Sequence, residues 1–169
     1  MLSSAYAPII KDNHQVMEDL VKYLCPSWIL NFPTTNNHSQ YPNFDCMVTI
    51  PSGKAVAIIN SSVRLTSSQR FSSAILDESK ADALLTLAHK APVLVAGLYK
   101  TDGTLDLYRL DEQGALSHSA KPSLKQTPVS FVNQQKVWRR LIEIPFSACW
   151  LFTYQQRQLK LQHRPETQS

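Results

Sequence analysis

Phe44-Asp45-Cys46-Met47-Val48-Thr49-Ile50 and Lys54-Ala55-Val56-Ala57-Ile58-Ile59-Asn60 are two β-rich runs joined by Pro51-Ser52-Gly53, and how they pair decides the fold. Proline, serine and glycine between such runs mark a hairpin turn. With Ser52-Gly53 as a two-residue loop, Thr49 faces Val56, Met47 faces Ile58 and Asp45 faces Asn60. Directly opposed residues share a sheet face, with Cβ atoms roughly 4.5–5.5 Å apart. Alternation adds Ser62 and Arg64 to the same face if the second strand runs on. The stretch therefore predicts a carboxylate, an amide, a hydroxyl and a guanidinium in a row on one surface.

Working outward, residues 7–24 read as an amphipathic helix: Pro8 suits a first turn, and Ile9, Ile10, Val16, Met17, Leu20, Val21 and Leu24 recur at helical spacing. Pro26 stops it. Trp28 to Phe32 is a short strand, and the polar residues 34–43 a surface loop. After the hairpin, Ser67 or Ser68 caps a second helix reaching about Lys90, with Phe71, Ile75, Leu84, Leu85 and Leu87 inside. Val93 to Tyr99 is nearly continuous apolar sequence, as expected of a strand covered on both faces. Asp102-Gly103 turns it into a partner at Leu105–Leu110. Residues 111–127 read as turn and loop, with an edge strand near Ala115–Ser119. Pro128 opens a third helix carrying Val129, Val132, Val137, Leu141 and Ile142, which brings Lys136, Arg139 and Arg140 onto one basic sector. Phe146–Tyr154 and Gln155–His163 read as strand or short helix.

The totals bound the class. A chain of 169 residues, 43% hydrophobic and 18% charged, suits one domain, residues 1–169, of ordinary globular composition. No apolar run approaches the ~20 residues that span a bilayer, and no export signal is evident at the N-terminus. Cys25, Cys46 and Cys149 lack paired ligand spacing and read as small buried residues in a reducing compartment. The expectation is a cytoplasmic protein with no membrane segment. Charge is unevenly spread: residues 1–120 hold nine Lys/Arg against eleven Asp/Glu, whereas residues 121–169 hold eight against two. Such segregation points the C-terminal third at an acidic partner, nucleic acid above all, through Lys136, Arg139, Arg140, Arg157 and Lys160. The five histidines are scattered, without zinc or triad spacing, and the four glycines form no phosphate-cradling loop.

In this element order the chain resembles the PD-(D/E)XK, or restriction-endonuclease-like, nuclease superfamily. That core is a helix, a three-strand antiparallel meander, a second helix and a fourth strand joining the sheet. The resemblance covers roughly residues 7–110, leaving 111–169 as a basic C-terminal extension. It implies an α/β fold, α-β-β-β-α-β with a mixed sheet flanked by helices, plus a C-terminal helix. Asn43-Phe44-Asp45 stands where the family has its Pro-Asp arm, and Asn60-Ser61-Ser62 where it has Glu-x-Lys. Glu18 occupies the place of the first-helix acid, and Gln69 that of an optional glutamine on the second helix. The resemblance thus implies Mg²⁺ held by Asp45 and Glu18, a catalytic set of Glu18, Asp45, Asn60, Ser62, Arg64 and Gln69, a DNA substrate, and a homodimer.

The departures carry chemical weight. Asn60 offers an amide oxygen without charge, and Mg²⁺ prefers anionic oxygens. Ser62 cannot supply the positive charge that a lysine contributes to the developing phosphorane. Arg64, Arg70 and Lys80 are the cations within reach, though an arginine is a poor proton acceptor. The sequence therefore leaves open a metal-dependent DNA endonuclease with a variant site and a catalytically weakened DNA-binding relative. A non-enzymatic α/β scaffold or partner-binding module unrelated to nucleases is the alternative. On the plainest reading Asp45 and Glu18 are solvated acids, Asn60 is a strand-end amide, and the basic residues are a solvated face.

Overall fold

The computed structural model describes residues 7–33, 44–110, 121–128 and 134–165. The first helix, α1, runs Ala7–Leu24 as expected. Strands β1 (Ile29–Asn31), β2 (Cys46–Thr49) and β3 (Ala55–Arg64) form an antiparallel meander. A 3-10 turn at Ser68–Arg70 leads to β4 (Ser73–Asp77) and α2 (Glu78–Leu85). Then come β5 (Val93–Tyr99) and β6 (Thr104–Arg109), joined by the turn at Asp102-Gly103, and β7 (Lys121–Pro128) with β8 (Lys136–Pro145). The described chain closes with β9 (Trp150–Gln155) and β10 (Gln158–His163). Seven strands make one mixed sheet in the order β1-β2-β3-β5-β6-β9-β10, with β5 parallel to β3, and β4-β8-β7 make a second. The path from α1 through the meander to α2 and β5 follows the α-β-β-β-α-β order, with β4 inserted before α2.

The hairpin keeps the expected register by a different route. Cys46 pairs with Ile59, Met47 with Ile58 and Val48 with Ala57, but Thr49 pairs with Ala55. The loop is one residue longer, Pro51-Ser52-Gly53: the Ile50 amide donates to the Lys54 carbonyl, the Gly53 amide donates to that of Ile50, and Gly53 sits at φ 90°. Val56 is the extra residue of a bulge, which restores the offset lost at the loop.

Three expectations are corrected. The helix from Ser67 or Ser68 to Lys90 is a 3-10 turn, a strand and a short helix. Ser67 caps only the turn, whereas Asp77 caps α2 by accepting from the Ser79 amide. Ser73–Asp77 is extended because each of its residues pairs with β8, and that ladder outweighs helical spacing. The third helix is also a strand: Lys136–Pro145 lies between β4 and β7, in keeping with its Val, Trp and Ile content. No C-terminal helix exists among the described residues, and 121–127, read as loop, lies with Pro128 in the edge strand β7. Val129, Val132 and the proposed edge strand at 115–119 lie outside the described residues. Of the described residues after 110, β9 joins β6 in the large sheet and β8 joins β4 in the second.

The large sheet is covered on both sides. Val16, Met17, Leu20 and Val21 of α1 pack on the face that carries Cys46, Val48, Ala57, Ile59, Leu98, Leu105 and Phe152. The other face, with Ile58, Val93, Val95 and Tyr108, is covered by Ala74 and Leu76 of β4, Ala81 and Leu84 of α2, and Ile144 of β8. Burial of each large side chain here contributes about 1.5–3 kcal/mol.

Candidate functional site

On the face away from α1, between the large sheet and β4, lies a cavity of about 300 Å³. Asp45, Asn60, Ser62 and Arg64 all line it, joined by Ser61, Asp77, Lys80, Asp106 and Tyr108. β3 is the reason these groups meet. Its first half pairs with β2 and its second half with β5, so Asn60–Arg64 runs past the start of β2. There Asp45 substitutes for a missing strand: its Oδ2 accepts from the Ser61 amide at 2.6 Å and from Ser61 Oγ at 3.3 Å. Asn60 is only 6% exposed. The Arg64 guanidinium donates to the Ile75 carbonyl at 2.6 Å, tying β3 to β4, and stands 5.8 Å from the centre of the Tyr99 ring. Its Nε and the hydroxyl of Tyr108 are buried without a hydrogen-bond partner among the described residues.

Asp106, like Asp77, is a site residue that the sequence reading missed. It is 2% exposed and stands opposite Gly97 on β5. A Cβ on Gly97 would come within 2.9 Å of its carboxylate, so glycine is what makes room for it. Burial pushes the Asp106 carboxyl up to about 6, against the pull of Arg64 and hydrogen bonds from Tyr99 and the Gly97 amide. The signal was present as Leu105-Asp106-Leu107, an acid alternating with leucines, paired with a glycine in an otherwise apolar strand. Lys80, brought in by α2, places a cation in the pocket where Ser62 offers none.

Two expected members stand elsewhere. Glu18 is exposed on α1, against the opposite face of the sheet, and its charge acts on Arg157. The hairpin fixes which residues share a face with Asp45 but not which face the helix covers, because both are apolar. Gln69 is exposed on the 3-10 turn that Asp102 anchors through Ser67 and Ser68, and it does not line the pocket.

The donor set does not fit a resident Mg²⁺ on Asp45 and Glu18. Among the described residues no three His, Cys, Asp or Glu converge on one point. Asp77 is engaged by the Ser79 amide and by Arg139 at 3.5 Å. Burial raises its pKa, but hydrogen bonds from Ser79 and the charge of Arg139 outweigh that and hold it below the usual range. Asp106 is buried and engaged by Tyr99 and the Gly97 amide, and Asp45 by Ser61, which leaves the uncharged amide of Asn60.

The basic residues fall into two groups. Lys136 and Arg140 are exposed on one face of β8, while Arg139 projects from the other, toward Asp77 at the pocket wall. Arg157 lies in the turn between β9 and β10, and Lys160 on β10, at the far edge of the large sheet. Arg157 is held by Asp19 at 3.2 and 3.1 Å, and Tyr154 donates to the same carboxylate at 2.7 Å. Burial pushes Asp19 up, yet these bonds hold its pKa below the ordinary value. Arg157 is thus a clamp between α1 and β9–β10.

No protein-family description and no curated protein matches this chain. Among solved structures, the chain is similar to D212, a nuclease from a fusselovirus, at 12% identity and a TM-score of 0.42, over 88% of this chain and 86% of that one. A superposition of that quality does not establish a shared activity. No helix among the described residues is long and apolar enough to cross a membrane.

Proposed function

We propose that this protein binds DNA through the β7–β8 hairpin, and that the adjoining pocket is a catalytically weakened form of a nuclease site. The observation that carries this reading is the junction of the two: Asp77 lines the pocket and pairs with Arg139 of the hairpin. On the outward face of that hairpin Lys136 and Arg140 offer two cations to a phosphodiester strand, and Lys80 supplies a further cation in the pocket itself. The weakened-site half of the reading rests on chemistry. Asp45 is committed to the Ser61 amide, Asn60 lacks charge, and Glu18 stands on the other side of the sheet.

A gel-shift and plasmid-nicking series across Mg²⁺, Mn²⁺ and salt tests both halves. DNA should be shifted without metal, equally by wild type and Asp45→Ala, and at least tenfold more weakly by the Lys136→Ala/Arg140→Ala double variant. Metal-dependent nicking that disappears in Asp45→Ala would replace the weakened site with a working endonuclease. Failure to shift DNA even at low salt would end the DNA-binding reading.

A further inference from the structure

The face of the β7–β8 hairpin that bears Lys136 and Arg140 carries an exposed aromatic ring. Trp138 is 65% exposed, whereas the other two tryptophans are half-buried. It lies between Lys136 and Arg140 on the same side of the strand, opposite Gln126, with Leu124 (61% exposed) opposite Arg140. Resting on the DNA-binding reading above, we infer that this face is a stacking platform for unpaired bases and that the preferred ligand is single-stranded nucleic acid.

Four observations converge. The face holds two cations and no carboxylate: the hairpin's acid, Glu143, is on the opposite side and forms an ion pair with Lys125. Lys136 and Arg140 are four residues apart, roughly 13–14 Å along an extended strand, which leaves room for a base over the indole with a phosphate on either side. An exposed indole gains most by covering a flat π-face, and duplex bases already spend theirs on one another. Finally, Pro122 and Pro128 withhold amide donors from β7, so the open edge of this sheet is a poor template for another strand. The side-chain face, not the edge, is left to make contact.

The test compares a short oligothymidine with the same strand annealed to its complement, reading affinity and tryptophan fluorescence. Wild type should bind the single strand more tightly, with quenching. Trp138→Ala should lose about tenfold or more on the single strand and little on the duplex, while Trp138→Phe keeps most of the binding. Lys136→Ala/Arg140→Ala should weaken both forms. Because Trp138 is exposed, its variants should melt in urea like wild type. Equal losses on both forms, or none, overturn the stacking platform while leaving DNA binding standing. A wild type that binds neither form at low salt removes the DNA-binding reading itself. A dimer that falls apart in Trp138→Ala would make the face a self-association surface and overturn the inference.

Discussion

At the scale of single residues the least ordinary pair is Gly97 with Asp106. A buried carboxylate facing the only side-chain-free position of its partner strand is a fit that one methyl group breaks. Gly97→Ala should destabilise the fold by about 1–3 kcal/mol, the usual range for overpacking. Asp106→Ala in the same molecule should recover part of that loss, because the colliding oxygens are gone. Urea denaturation of the four-member cycle checks it. The raised pKa has a sign as well. Asp106 titrates near 6 when folded and near 3.8 when unfolded, so the folded state binds the extra proton between those values. Its contribution therefore falls as pH rises from about 4 to 6, by about 1–3 kcal/mol. Asp106→Asn should flatten stability over that window and gain most above pH 6, as measured by urea midpoints against pH. Asp19, Asp77 and Asp102 work in the opposite sense, since their folded pKa values are lowered. What they contribute is intact above about pH 4 and is lost as pH falls further.

Among the elements, α2 depends on one residue at its start. Asp77 ends β4, caps the helix through the Ser79 amide and Oγ, and pairs with Arg139 of β8. Asp77→Ala should cost about 1 kcal/mol through the cap. Asp77→Asn keeps a capping oxygen and loses the ion pair, so its smaller loss should separate the two roles by thermal melting. The β9–β10 hairpin turns on Gln156 and Arg157 at φ 49° and 61°, a left-handed pair normally given to Asn-Gly. Gln156→Asn should stabilise the protein by a few tenths to about 1 kcal/mol, since asparagine tolerates that region far better than glutamine. A higher urea midpoint at unchanged slope is the expected result.

For the whole molecule, the charge division seen along the chain becomes a spatial one, but not the single patch that counting suggests. Arg157 is already paired with Asp19 on the α1 side of the large sheet, and Lys160 stands on that sheet's edge strand β10, which does not adjoin the hairpin. Removing Lys136 and Arg140 should lower the slope of log affinity against log salt by about one unit each for duplex DNA, whereas Lys160→Ala should leave it unchanged. A fall in slope for Lys160→Ala would mean that the DNA path crosses the other edge of the sheet.

The sequence by itself determined the local objects: α1, the β2–β3 hairpin with Asp45 and Asn60 in register, and the β5–β6 pair. Each is closed by contacts within a few dozen residues, and its periodicity and turn chemistry agree. Ser73–Asp77 was legible only as amphipathic sequence, because its partner β8 is about seventy residues away, and Lys136–Pro145 was misread because its nearer partner, Lys121–Pro128, is polar and bounded by prolines. Part of the site was readable for the same reason, since a hairpin fixes which side chains share a face. The remainder was decided by packing: α1 took the face opposite Asp45, which removed Glu18, while β6, β4 and α2 brought Asp106, Asp77 and Lys80 to the pocket. A strand pattern states what alternates, and only the layers stacked on it determine which side becomes the site.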